Sequence, residues 1–229
     1  MIRKKIFIFD LDGTLVDAYP AIVKSFNDCM RAHGYPSRTC AVIRKAVGWG
    51  DRKLLEPFVP AARLPHVLAC YRKRHAVDLE SGARWMPYAR QLLHYLRNRG
   101  AKTAIASNRP TRFTRIILRS LGARGMFDKV LCADRLCAES GSASCRRYFK
   151  PHPLILRRVL KALGARRADA VYIGDMAIDI QTGRRAGIST VAIATGSSSL
   201  QELRRQKPDH LFSDLGAFKR SLSHKSRVV

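Results

Sequence analysis

Short apolar strands alternate along this chain with amphipathic helices that end at glycine, and this alternation restricts the fold more than any other feature. The predicted strands cover residues 5–9, 102–106, 129–132, 170–173 and 190–194. Helical patterns lie at residues 88–99, 111–121, 154–163 and 178–186, and a glycine follows each of them. Glycine is favoured just past a helix end, and repeated strand–helix units are typical of parallel sheets. The sequence therefore predicts an α/β fold with a parallel sheet.

One interval interrupts the alternation. Between residues 18 and 84 the patterns are helical only, at residues 20–32, 38–47, 51–58 and 61–79. Gly and Pro residues separate these patterns, as expected of turns between short helices. We interpret residues 18–84 as a helical cap inserted after the first strand, and residues 1–17 and 85–229 as the sheet domain.

Composition restricts the cellular setting. No apolar stretch approaches the roughly 18 residues of a membrane span, and the apolar run at the N-terminus is interrupted early by Asp10. The six cysteines are scattered, without the close pairs of a zinc site. We expect a cytoplasmic protein with free thiols and no membrane partner.

The net charge of +26 arises from 43 Lys and Arg against 17 Asp and Glu. The basic residues recur along the whole chain, in pairs such as Arg157-Arg158 and Arg184-Arg185, rather than in one tail. Such a field attracts anions in general. The sequence carries no nucleic-acid-binding motif, so we expect a solvated basic surface and no nucleic-acid partner.

Polar residues follow several predicted strands or precede a helix. They are Asp10 and Asp12, Ser107 and Asn108, Lys150, and Asp175 with Asp179. Ligands of parallel sheets gather beyond the carboxyl ends of the strands, so these side chains are expected to meet in one site. The sequence thus predicts a site rich in carboxylates.

The chemistry that fits this set is phosphate ester hydrolysis. A carboxylate attacks a doubly negative ester only where positive charge is close, and Mg²⁺ prefers oxygen ligands such as those of Asp10 and Asp175. Asp10 can form an aspartyl-phosphate, and Asp12 can protonate the leaving oxygen and later activate water. Ser107 and Lys150 can hold the phosphoryl oxygens.

The chain resembles the haloacid dehalogenase superfamily. The motifs that carry the resemblance are Asp10-Leu11-Asp12-Gly13-Thr14-Leu15-Val16, Ser107-Asn108, Lys150-Pro151 and Gly174-Asp175-Met176-Ala177-Ile178-Asp179. The resemblance implies a Rossmann-like core with a helical C1 cap and a phosphate site made by Ser107, Asn108 and Lys150. It also implies Mg²⁺ held by Asp10, Asp175 and the backbone carbonyl of Asp12, with Asp179 behind these ligands.

The substrate is less constrained than the reaction. Asn108-Arg109-Pro110 is similar to the Asn-Lys-Pro of phosphoglycolate phosphatases, and Arg44, Trp49 and Arg52 of the cap are candidates for contact with a small phosphorylated metabolite. The alternatives that stay open are a sugar-phosphate mutase, a pyrophosphatase or a nucleotidase of the same superfamily, and a non-catalytic polyanion-binding protein. A monomer or a homodimer is expected.

Overall fold

A parallel sheet forms the centre of the fold, as the alternation of strands and helices predicts. The computed structural model describes residues 2, 4–140 and 145–223, apart from the side chains of residues 137–140, 145 and 146. The strands of this part of the chain are β1 (Ile6–Phe9), β2 (Val16–Asp17), β3 (Arg84–Trp85), β4 (Lys102–Ser107), β5 (Lys129–Cys132), β6 (Ala170–Gly174), β7 (Ser189–Ile193) and β8 (His210–Phe212).

The main sheet has six strands in the order β5-β4-β1-β6-β7-β8, and all neighbouring pairs are parallel. β1 lies between β4 and β6, with Phe9 opposite both Ile105 and Ile173. This register places the ends of these three strands side by side. The five predicted strands correspond to β1, β4, β5, β6 and β7, whereas β8 was not predicted because it is a three-residue edge strand with an exposed histidine.

The two faces of the sheet are covered by separate apolar clusters. Phe7 and Phe9 of β1 belong to one cluster, and Ile6 and Ile8 belong to the other. Because successive side chains of a strand point to opposite faces, a strand with helices on both sides is apolar at every position. This explains why β1 is an uninterrupted run of buried residues.

The interval predicted as a cap contains the first helices of the chain. They are α1 (Tyr19–Ala32), α2 (Cys40–Ala46), α3 (Asp51–Leu55) and α4 (Leu64–Gly82). β2 and β3 pair as a short antiparallel ribbon on either side of this interval, with Val16 opposite Trp85. The ribbon carries the chain out of the sheet domain and back again. The division of the chain into domains at residues 17 and 85 stays a prediction.

Further helices pack on the sheet. They are α5 (Ala89–Asn98), α6 (Thr111–Ser120), α7 (Ala133–Ser140), α8 (Leu154–Leu163), α9 (Ala177–Ala186), α10 (Leu200–Arg205) and α11 (Leu215–Ser223). α8, for example, buries Ile155, Leu156, Val159 and Leu160, which lie at helical spacing on one side. The predicted helices of the sheet domain agree with α5, α6, α8 and α9 within a few residues.

Cys29 of α1 and Cys70 of α4 form a disulfide, with a Cα–Cα distance of 6.0 Å. The prediction that the cysteines are free thiols is therefore wrong for this pair. The two residues are 41 positions apart, so only the packing of α1 against α4 brings them together. Among the other cysteines with described side chains, Cys40 and Cys132 are free.

Throughout the described ranges, every helix is too short or too polar to span a lipid bilayer.

Candidate active site

The predicted site residues converge at the carboxyl edge of the central strands. Asp10 directly follows β1, Ser107 ends β4, and Asp175 directly follows β6. The main-chain N–H of Asp10 donates a hydrogen bond to the carbonyl of Ile173 at 2.8 Å, which extends the pairing of β1 and β6 by one residue. Parallel neighbouring strands thus bring residues far apart in the sequence to a common edge.

Asp175 is fully buried and has partners on both carboxylate oxygens. The hydroxyl of Thr14 donates to Oδ1 at 2.7 Å, and the main-chain N–H of Ser197 donates to Oδ2 at 3.1 Å. Burial raises the pKa of Asp175 well above its usual value, and the nearby charges of Asp10 and Asp179 raise it further. This carboxylate is fixed in place among other acidic groups.

Two glycines make room for the Asp175 carboxylate. Gly13 has a φ of +80°, and a Cβ at this position would lie 2.6 Å from Oδ2 of Asp175. A Cβ on Gly196 would overlap the same carboxylate. Positive φ and close approach both require glycine at residue 13. The turn after Asp12 therefore needs glycine because its backbone packs against the carboxylate of Asp175.

Lys150 lies at the centre of the cluster, and its side chain is 2% exposed. Its Nζ donates to Oδ1 of Asp10 and to Oδ1 of Asp179, both at 2.7 Å, and to the hydroxyl of Tyr172 at 3.2 Å. Burial acts to lower the pKa of Lys150, but the carboxylates of Asp10 and Asp179 outweigh it and raise this pKa. The ammonium group therefore stays charged beside Asp10.

Asp179 joins Lys150 to the start of α9. Its Oδ2 accepts the main-chain N–H of Met176 at 3.0 Å, and its Oδ1 accepts the hydroxyl of Tyr172 at 3.0 Å as well as Lys150. Burial raises the pKa of Asp179, and Lys150 opposes this shift. Asp179 thus holds Lys150 in position against Asp10.

Three buried carboxylates could together hold a metal ion. Oxygen atoms of Asp10, Asp175 and Asp179 all lie within 4.8 Å of one another. Asp12 adds a fourth carboxylate, and Lys150 and Arg109 are the cations in contact with the group. Four carboxylates carry −4 and two cations carry +2, which leaves a formal −2 among these described side chains. This is the charge that a divalent cation would neutralise.

Asp12 forms a two-point ion pair with Arg109. Nε and Nη2 of Arg109 donate to the two oxygens of Asp12 at 2.6 and 2.9 Å. The side chains are 13% exposed for Asp12 and 5% exposed for Arg109. Burial raises the pKa of Asp12, and the guanidinium opposes this shift. Sequence analysis assigned Arg109 no role in the site, although it follows the predicted phosphate ligands Ser107 and Asn108.

His75 of α4 reaches Arg109 from the cap. Nη1 of Arg109 lies 2.9 Å from Nε2 of His75, and Nδ1 of His75 lies 3.2 Å from the hydroxyl of Ser25 on α1. Burial, followed by the charge of Arg109, lowers the pKa of His75 to about 2. The imidazole is therefore neutral: Nε2 accepts from Arg109, and Nδ1 carries the proton. No local sequence signal identified this residue, since its partners are 34 and 50 positions away.

Ser107 and Asn108 also lie at the carboxyl edge of the sheet, and each makes its own hydrogen bonds. The hydroxyl of Ser107 accepts the main-chain N–H of Arg109 at 3.2 Å. The amide group of Asn108 accepts the main-chain N–H of Lys150 at 2.9 Å and donates to the carbonyl of Gly48 at 2.9 Å. Asn108 thus connects the Lys150 loop to the cap, a contact that was not predicted.

A cavity of about 50 Å³ opens above Asp10. Its polar lining includes Asp10, Asp12, Ser107, Lys150 and Arg109, and its apolar walls come largely from the cap. One water molecule needs roughly 10–15 Å³ of cavity volume, so this cavity has room for only a few water-sized groups.

The three cap candidates lie outside this cavity. Arg44 donates to the carbonyl of Gly196 at 3.1 Å and its guanidinium lies 4.1 Å above the ring of Tyr19. Trp49 is 44% exposed and lines, with Arg52, an outer groove of about 550 Å³. Arg109 and His75 line the inner cavity, and substrate contact by the three cap candidates stays a prediction.

Comparison with known proteins adds the family. The sequence profile of the haloacid dehalogenase-like hydrolases matches residues 7–193. The chain belongs to this family. It is 30% identical over 225 residues to a phosphoglycolate phosphatase of Psychrobacter arcticus, covering 93% of this chain and 94% of that one. It is 32% identical over 217 residues to a phosphoglycolate phosphatase of Rhodobacter capsulatus, covering 91% and 93%.

Solved structures agree on the fold of this family member. A haloacid dehalogenase-like hydrolase from Streptococcus pneumoniae superposes with a TM-score of 0.84 at 20% identity, covering 97% of this chain and 100% of that one. CbbY from Rhodobacter sphaeroides, solved in complex with phosphate, gives a TM-score of 0.76 at 19% identity and covers 92% and 94%. The predicted fold class and superfamily are confirmed.

The enzyme class is confirmed as well. The family and its phosphatase relatives identify the chain as a phosphatase, a phosphoric monoester hydrolase. The enzyme class contradicts the non-catalytic part of the polyanion-binding alternative. Binding of a polyanion, which the charge of +26 suggested, stays a hypothesis.

Proposed function

We propose that this phosphatase hydrolyses a small phosphate monoester through an aspartyl-phosphate on Asp10, with Mg²⁺ as its cofactor. Phosphoglycolate is the best candidate substrate, because the relatives from Psychrobacter arcticus and Rhodobacter capsulatus carry that name. The observation that carries the proposal is the buried contact of Asp10 with Lys150, beside two further carboxylates, at the floor of a small cavity.

The donor set fits Mg²⁺. Hard carboxylate oxygens are the ligands that this ion prefers, and the cluster carries the formal −2 that a divalent ion would balance. The side chains of Asp10 and Asp175 and the main-chain carbonyl of Asp12 would hold it, with Asp179 behind them. When bound, the ion would offset the negative charge of the phosphoryl group.

The residues of the chain divide the reaction between them. One oxygen of Asp10 attacks phosphorus while the bond from phosphorus to the ester oxygen breaks. Asp12 must enter this step in its protonated form, which its burial favours, and it gives its proton to the ester oxygen. Water then attacks phosphorus, Asp12 takes a proton from it, and the bond between Asp10 and phosphorus breaks. Ser107 and Lys150 hold the phosphoryl oxygens. Asn108 contributes to the phosphate site by accepting the main-chain N–H of Lys150, which keeps the Lys150 loop in place.

The inner cavity adjoins the outer groove of about 550 Å³, because Gly50, Asp51, Asn108, Pro110 and Phe113 line both. A compact leaving group fits the inner cavity, and a larger one could extend into the groove, so a sugar-phosphate mutase, a pyrophosphatase or a nucleotidase stays an alternative. The cytoplasmic location and a monomeric or homodimeric state stay predictions.

The test is hydrolysis of phosphoglycolate with and without Mg²⁺, followed by release of inorganic phosphate. We expect activity that disappears in excess EDTA and in Asp10→Asn, and an acid-stable phosphoryl adduct on the peptide containing Asp10 after rapid quenching. Asp169→Asn is the matched control, because Asp169 pairs with Arg166 at the surface. Activity that survives Asp10→Asn or EDTA would show that the mechanism is wrong.

A further inference from the structure

The position of Arg109 is not explained by neutralisation of the Asp12 charge alone. A guanidinium has five N–H donors, and contacts with Asp12 and His75 use three of them. Within the described residues, two N–H groups on Nη1 and Nη2 remain for another acceptor. Arg109 also lines the cavity above Asp10, where the leaving group would bind.

The surroundings of this arginine are unusual for a purely structural ion pair. His75 holds Nη1 from the cap, and the ring of Tyr71 stacks on His75 with centroids 4.9 Å apart. Phe113 meets His75 edge-on at 5.0 Å. Both rings therefore pack against the imidazole, whose Nε2 faces the guanidinium of Arg109. A buried guanidinium whose orientation is set by two partners is pre-organised for a planar acceptor such as a carboxylate.

We propose that Arg109 binds a carboxylate on the leaving group of the substrate, and that His75 is the positioning residue that orients it. This inference rests on the proposed phosphatase function and assigns the residue that recognises the ester. The phosphoryl group would then bind at Lys150 and Ser107, and the carboxylate at the guanidinium of Arg109. The site would therefore select esters by the distance between their phosphoryl and carboxylate groups.

Three esters of similar length separate charge recognition from size. They are phosphoglycolate, 2-hydroxyethyl phosphate and 2-aminoethyl phosphate, whose far ends are anionic, neutral and cationic. We expect wild-type kcat/KM to fall by about 100-fold from the first to the second, which is typical of hydrogen bonds to charged groups, and further for the third. A wild-type enzyme that uses the neutral ester as well as phosphoglycolate would overturn the inference.

Arg109→Gln tests the residue itself. It should remove most of the preference for phosphoglycolate over 2-hydroxyethyl phosphate. Any effect on Asp12 is shared by both esters and cancels in the ratio of their kcat/KM values. Arg109→Lys should keep part of the preference, because it keeps the charge but loses the planar donors. An unchanged ratio in Arg109→Gln would assign Arg109 a structural role only.

Arg112→Gln is the matched control, since Arg112 lies three residues further along the chain and does not line the cavity, with its guanidinium 4.8 Å above the ring of Phe113. For His75, the conservative variant His75→Gln can still accept from Arg109, whereas His75→Leu cannot. We expect His75→Leu to raise KM for phosphoglycolate about tenfold with a smaller change in kcat, and His75→Gln to restore it. Equal KM values in the two variants would contradict the positioning role.

Calorimetry separates failure of this inference from failure of the proposed function. If the wild-type enzyme hydrolyses none of the three esters with Mg²⁺, phosphoglycolate is not its substrate and that part of the proposed function is wrong. The ratio of Kd values for phosphoglycolate and 2-hydroxyethyl phosphate, measured on wild type and on Arg109→Gln, still decides the role of Arg109. Tighter binding of phosphoglycolate that depends on Arg109 supports it, and equal or undetectable binding of both esters overturns it.

Discussion

Acid should weaken the fold through His75 in particular. This imidazole is 1% exposed, its Nε2 accepts a hydrogen bond from Arg109, and Arg112 adds a second positive charge in the vicinity. Protonation would place an N–H against a guanidinium and a charge in an apolar pocket. Burial and Arg109 accordingly lower the pKa of His75 from 6.5 to about 2.

The direction and size of the effect follow from these two pKa values. Below pH 6.5 the unfolded chain binds a proton at His75, whereas the folded chain stays neutral at this residue down to about pH 2. The free energy of unfolding therefore falls as pH falls through this window. Each unit corresponds to about 1.4 kcal/mol, so the contribution lost between about pH 7 and about pH 5 is about 2 kcal/mol.

Urea unfolding of wild type and His75→Gln at about pH 7 and about pH 5 measures the contribution of His75 to the free energy of unfolding. The other titrating groups are the same in both proteins, so their contributions cancel in the comparison. We expect the wild type to lose about 2 kcal/mol more than His75→Gln on acidification. The exposed residue His66 lies on the same helix, and His66→Gln should follow the wild type. Parallel losses in wild type and His75→Gln would refute the reasoning.

Further predictions concern the cap and the carboxylate cluster. Replacing Cys29 and Cys70 by Ser should lower the free energy of unfolding by about 4 kcal/mol, from the loop of 41 residues that the disulfide closes; an unchanged urea midpoint would contradict this. Gly196→Ala should reduce phosphatase turnover at least tenfold, because its Cβ would displace the carboxylate of Asp175, and wild-type turnover would contradict the packing. Thr14→Val should cost about 1.5–3 kcal/mol in urea unfolding through the lost hydrogen bond to Asp175, whereas a neutral effect would contradict it.

The sheet and the polar edge could be predicted because both depend on local patterns. A strand buried on two faces, such as β1, is an apolar run, and the polar residue that follows it lies at the carboxyl edge whatever the rest of the chain does. Asp10, Ser107 and Asp175 were placed together on this basis, and the register of β1 with β4 and β6 brings them together. Their roles in catalysis stay predictions.

Contacts between the cap and the sheet domain could not be predicted in this way. The pairing of Arg109 with His75 and the bond from Asn108 to Gly48 join segments whose sequences carry no common pattern. The disulfide between Cys29 and Cys70 was missed for the same reason. Arg109 offered one signal, a charged residue directly after two predicted phosphate ligands, whose meaning depended on where its side chain points.

The division of contacts within the site suggests how the enzyme separates reaction from selectivity. Asp10, Asp175, Asp179 and Lys150, the residues proposed to act on phosphorus, lie together in the sheet domain. The cap reaches this cluster through Gly48, which precedes α3 and accepts a hydrogen bond from Asn108, the partner of the Lys150 main chain. Arg109 belongs to the sheet domain too, but its orientation depends on His75 of α4. Changes in α4 should therefore alter the choice of ester more than the rate of phosphoryl transfer. Under the proposed role of Arg109, a change in the helix that contacts it would alter the substrate while the carboxylate cluster is kept.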